Sequence, residues 1–110
     1  MVEEVIPVLR VADAVAAATW YERLGFTKQW EHRFEPGMPA FVSIACGHVR
    51  LFLSEHQGDA RPDTLIHLVA GDIDAIVAEF GRPAGDPPYG CEIELRDPDG
   101  NRLRLRTPAS

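Results

Sequence analysis

The sequence predicts an α+β fold: two βαβββ modules forming a curved mixed sheet with helices outside, the second module shortened. Three observations lead there. Leu9-Arg10-Val11-Ala12-Asp13 and Leu68-Val69-Ala70-Gly71-Asp72 stand at a constant offset of 59 residues. In each copy the aspartate suits a helix N-cap before residues of helical spacing. Each half then continues into stretches that alternate apolar and polar with period two, the mark of half-buried strands. The order strand, capped helix, strands therefore occurs twice, as an internal duplication would give. Residues 1–110 form one domain, with module one over about 1–56, a polar linker over 57–63 and module two over about 64–108.

Each element has its own signal. Residues 4–10, EVIPVLR, read as a strand with Pro7 near an edge. Asp13 caps a helix over about 14–24, in which Ala14, Ala17, Trp20, Tyr21 and Leu24 fall at core spacing, and Gly25 suits its C-terminal stop. Strands follow at 26–34, 40–46 and 49–55, separated by Pro36-Gly37 and Gly47-His48. In the second half, 64–70 is a strand and Asp72 caps a helix with Ile73, Ile76, Val77 and Phe80 on one face, closed by Gly81. Residues 82–88 are irregular and rich in Pro and Gly. The stretches 91–96 and 102–107 alternate about the turn Asp97-Pro98-Asp99-Gly100 and form a hairpin.

Composition narrows the function classes. Lys plus Arg is 11 against 17 Asp plus Glu, a net charge of −6, which speaks against a nucleic-acid partner and permits a cationic small molecule. No apolar run is long enough to span a membrane, and the start Met1-Val2-Glu3-Glu4 lacks a signal peptide's basic residues, so a cytoplasmic location is expected. Cys46 and Cys91 have no CxxC neighbour and read as buried, inert thiols. Acyl-hydrolase, P-loop and dinucleotide-binding motifs are absent.

Alternation divides each strand into a helix-packing face and an open face. Trp30, His32 and Phe34 share the open face of the second strand, and Phe52 that of the fourth. Such rings stack on planar ligands, and they also suit a subunit interface. Leu103 and Leu105 pack inward, leaving Arg102, Arg104 and Arg106 outward. Across the hairpin Glu92, Glu94 and Arg96 face the same way, with Glu94 opposite Arg104 and Glu92 opposite Arg106. Those charges form either a self-neutralising ladder or a ligand contact. His67 and the loop residue Tyr89 complete the candidate set.

Pro7–Asp13, Trp20-Tyr21-Glu22-Arg23-Leu24-Gly25-Phe26 and Glu94-Leu95-Arg96-Asp97-Pro98-Asp99-Gly100-Asn101 resemble the vicinal oxygen chelate superfamily of glyoxalases, extradiol dioxygenases and bleomycin-resistance proteins. Val49–Gln57 and Pro88-Tyr89-Gly90-Cys91-Glu92 resemble the bleomycin-resistance type, although the chain is shorter than that pattern between Gly81 and Tyr89. Enzymes of the superfamily hold a divalent metal with four His or Glu side chains. Transferred to this sequence, the four positions are Ile6, Phe52, Leu65 and Arg104, none of which is a ligand. The resemblance thus implies no metal and no cofactor, a homodimer with crevices between subunits and exchange of the N-terminal strand, and binding of a bleomycin-type glycopeptide or similar planar or cationic molecule. The expected contacts are Trp30, His32, Phe34, Phe52, His67, Tyr89, Glu92, Glu94 and Arg104. Two alternatives stay open: a metal-dependent glyoxalase- or dioxygenase-type enzyme, in which His32, His67, Glu92 and Glu94 supply ligands, and a metal-independent superfamily member of another role.

Overall fold

The computed structural model describes residues 1–81 and 92–108. The first module runs β1 (Val8–Arg10), α1 (Ala14–Tyr21), a 3-10 turn (Glu22–Leu24), β2 (Thr27–His32), β3 (Phe41–Cys46) and β4 (Val49–Ser54). The second runs β5 (Leu65–Val69), α2 (Ile73–Phe80), β6 (Glu92–Arg96) and β7 (Arg102–Arg106). Each module has its own mixed sheet, ordered β1-β4-β3-β2 and β5-β7-β6. In both, the first strand joins in parallel, β1 on β4 and β5 on β7, and the other pairings are antiparallel. Among the described residues the second module has one strand fewer, in line with its shortened sequence.

Local chemistry sets the boundaries. The first strand is shorter than residues 4–10 suggest. Pro7 has no N–H to give, so the ladder opens with its carbonyl accepting from Phe52 N at 2.9 Å, and Ile6 lies before the strand. Asp13 and Asp72 cap their helices through Ala16 N and Ala75 N at 3.1 and 3.0 Å. The first helix is α-helical only to Tyr21 and tightens into the 3-10 turn before Gly25, whose φ of 95° reverses the chain. The second strand ends at His32, short of the predicted residue 34, and Phe34 lies beyond it, 72% exposed.

Leu9, Val42, Ile44, Leu51 and Leu53 from the first sheet join Ile93, Leu95, Leu103 and Leu105 from the second in one buried cluster with Ala14, Ala17, Ala18 and Tyr21 of α1. Trp20 extends it to α2 through Phe80, at 5.5 Å between rings. A polar clasp locks the modules together. Asp97, 5% exposed, accepts from Tyr21 Oη at 2.8 Å, from Asn101 Nδ2 at 3.0 Å, and from the backbone N–H groups of Asp99 and Asn101 at 2.9 Å each. Asn101 also donates to Arg10 O at 3.0 Å and accepts from Thr64 N at 3.1 Å. Asp97 is therefore more than the turn residue the sequence suggests.

Cys46 is exposed, which corrects the expectation of a buried thiol. It ends β3 beside the Gly47 turn, at the rim of the sheet. Cys91, Tyr89 and the irregular stretch 82–88 lie outside the described residues.

Candidate ligand-binding site

The outward face of the first sheet carries an aromatic plate. Phe26, just before β2, is buried, and Lys28, opposite the buried Ile44, turns toward the helix side. Strict alternation would turn Trp30 the same way. A bulge between Lys28 and Trp30 inserts one residue, so Trp30 pairs with Ser43 and His32 with Phe41. Gln29, the inserted residue, accepts from Ser43 Oγ at 2.8 Å. Ser43 in turn pairs with Phe52, which aligns Trp30, Ser43, Phe52 and Val8 across four strands.

Three rings meet on this face. Trp30 stacks with Phe41 at 5.9 Å and 15° between planes, and lies 5.6 Å from Phe52; Phe41 and Phe52 are 4.9 Å apart, edge to face. Trp30 stays 42% exposed. His32 is next along the strand and meets Phe34 edge to face at 4.9 Å. Phe41 is the residue the sequence reading missed. It shares the outward face with Ser43 and Ala45, while Val42 and Ile44 are buried beneath, so the same alternation rule places it there.

The outward face of the second sheet is charged, in three cross-strand rows. His67, Arg104 and Glu94 form one, Val69, Arg106 and Glu92 the second, and Leu65, Arg102 and Arg96 the third. The hairpin register is the expected one. Arg104 Nε donates to Glu94 Oε1 at 2.8 Å, and this bond, with the nearby arginine charges, holds the Glu94 carboxyl below its ordinary range. Glu94 is thus engaged within the sheet.

A divalent cation does not fit these residues. Phe52 belongs to the aromatic plate, Leu65 lies in the row with two arginines, and Arg104 is paired with Glu94. The alternative ligands do not converge either: His32 packs on Phe34, on the first sheet, while His67, Glu92 and Glu94 project from the second. Among the described residues no three His, Cys, Asp or Glu side chains gather as a metal site.

Glu55, which ends the first module, is structural. Its carboxylate accepts from Ala14 N at 2.8 Å and Ala40 N at 2.9 Å, tying the start of α1 to the start of β3. An apolar groove of about 450 Å³ runs between the 3-10 turn, the β3–β4 turn and the start of α2, with Phe26, Cys46, Val49, Leu68, Val69 and Ile76 on its walls. None of the described candidate residues lines it. The aromatic plate and the charged rows are open faces within one chain, not walls of a closed pocket.

A family model described as glyoxalase superfamily protein matches residues 1–109, nearly the whole chain. The chain belongs to the glyoxalase superfamily. Among curated proteins none matches it. Solved structures of superfamily architecture align along its full length. The bleomycin-binding protein of Streptomyces verticillus, solved with copper(II)-bleomycin, is 28% identical at a TM-score of 0.70, covering 98% of this chain and 99% of its own. The bleomycin resistance determinant of transposon Tn5 is 23% identical at 0.74, covering 96% and 98%. TnmS3, an antibiotic binding protein from Streptomyces sp. CB03234, is 21% identical at 0.74, covering 98% of both. These likenesses fix the superfamily fold; no helix among the described residues is long and apolar enough to cross a membrane.

Proposed function

We propose that this protein binds and sequesters a planar antibiotic, a bleomycin-type glycopeptide being the first candidate, without a metal and without breaking a bond. The observation that carries the reading is the plate of Trp30, Phe41 and Phe52, the last at a position where the resemblance expects a metal ligand in the enzymes. A flat ring system stacked there gains contact area at little conformational cost, since aromatic side chains have few torsions to fix. The bleomycin-binding neighbours support the choice of first candidate.

The site is completed by a second copy. The chain is broad and thin, 47 × 37 × 22 Å, and its radius of gyration of 14.6 Å exceeds the roughly 13 Å of a compact chain this size. Its N-terminal arm carries the exposed apolar residues Met1, Val2 and Val5, suited to crossing onto a partner. A homodimer turns two open faces into crevices, with strand exchange through that arm. The free thiol of Cys46 suits a reducing cytoplasm, where sequestration keeps the drug from its target.

The test is a titration with bleomycin, metal-free and copper-loaded, followed by tryptophan fluorescence and calorimetry. Submicromolar saturation at one or two drugs per dimer, with the drug recovered intact, supports the reading. Silence toward bleomycin moves the ligand to another planar antibiotic, and silence toward a panel of them overturns the function. Stoichiometric Ni, Zn, Mn or Fe in protein purified without chelators, protecting against unfolding, would establish the metal-dependent alternative instead.

A further inference from the structure

The charged face of the second sheet holds an asymmetry that the net charge of −6 hides. In two of its three rows an arginine of β7 stands opposite a glutamate of β6, Arg104 with Glu94 and Arg106 with Glu92. In the third row Arg102 stands opposite Arg96. Like charges directly opposite across strands are destabilising, so a ladder that merely neutralises itself would not contain this row.

The nearest carboxylate is Asp63, and it answers the pair poorly. It lies 3.5 Å from Arg102 Nε and 3.8 Å from Arg96 Nη1, beyond good hydrogen bonds. Asp63 itself is well exposed and sits at φ 63°, a left-handed conformation uncommon for a residue with a side chain. Arg102 Nε is buried and has no hydrogen-bond partner. Besides Asp63, Arg96 donates a long hydrogen bond to Gly100 O at 3.4 Å, and it is 60% exposed. Two forked donors thus share one strand end with a strained, long-range counter-ion. Leu65, third in the row, gives the site an apolar wall.

We infer that Arg96 and Arg102 form an anion subsite on the second sheet, one that takes a carboxylate, sulfonate or ionised phenol. Guanidinium forks match such oxyanions in pairs and also lie flat on aromatic rings. The inference rests on the binding reading above and adds an acidic group to the features a ligand can use. Glu94, the carboxylate expected to attract a cationic drug, is already held by Arg104.

Isosteric probes test this. Anthraquinone sulfonate, its uncharged sulfonamide and the planar cation proflavine are titrated calorimetrically into the full chain at low and high salt. The sulfonate is expected to bind about tenfold more tightly than the sulfonamide, a difference of about 1.4 kcal/mol. That margin shrinks as salt screens the partly exposed pair. Arg96→Gln and Arg102→Gln, each checked for an unchanged circular dichroism spectrum, bring the margin below about threefold. Equal affinity for sulfonate and sulfonamide, or a preference for proflavine, overturns the anion subsite while leaving planar binding intact. Binding of none of the three overturns both. The salt series needs no variant, so a variant that fails to fold does not remove the test.

Discussion

Asp97 shows how one side chain connects sequence motif to architecture. It is buried with a charge that four donors satisfy, and three of those donors come from outside its own turn or from its far end, one from Tyr21 and two from Asn101. Tyr21→Phe keeps the ring packing but leaves the carboxylate short of a donor, and is expected to cost roughly 1–3 kcal/mol in urea unfolding. Asp97→Ala strands four donors and is expected to cost more. Burial, reinforced by the Asp97 charge, pushes the Tyr21 phenol far above its ordinary value. The folded state therefore retains a proton that the unfolded chain loses near pH ~10. Stability is complete below that pH and falls as pH rises beyond it, and Tyr21→Phe is expected to flatten this alkaline decline in melts taken across the range.

Element boundaries were legible where a single residue enforces them. Asp13, Asp72, Gly25 and Gly81 stand where the helices start and where the chain reverses. The hairpin register followed from alternation, which put Glu94 against Arg104. Other features depend on tertiary partners. The bulge at Gln29 has no glycine or proline to announce it, yet it alone turns Trp30 to the open face. Phe34 continues the alternation in sequence, but the strand has ended before it. Phe41 is readable by the same rule as Phe52, since it alternates with the buried Val42 and Ile44. Tyr89 lies outside the described residues. If the plate binds as one surface, Phe41→Ala weakens a planar ligand about tenfold, comparably with Phe52→Ala, in the calorimetric titration. An effect confined to Trp30→Ala would mean that a single ring acts alone.

At the scale of the whole molecule, the two modules bury a common core through their helix-side faces and leave their other faces uncovered. The thin, extended shape and the exposed arm of Met1, Val2 and Val5 are what a second copy would complete. Sedimentation at micromolar concentration is expected to give twice the 12.2 kDa chain mass. Removal of residues 1–5 is expected to shift the species toward one chain, because the arm's apolar side chains then have no partner surface to cover. A chain that stays monomeric would leave the aromatic plate without an opposing wall. Native mass spectrometry in the presence of a chelator probes binding without metal or chemistry in one spectrum, with bleomycin and acidic planar antibiotics offered in turn. The expected species is two chains carrying an intact ligand and no metal. A chain that takes up ligand only with nickel, zinc, manganese or iron, or that releases it with an altered mass, would contradict sequestration.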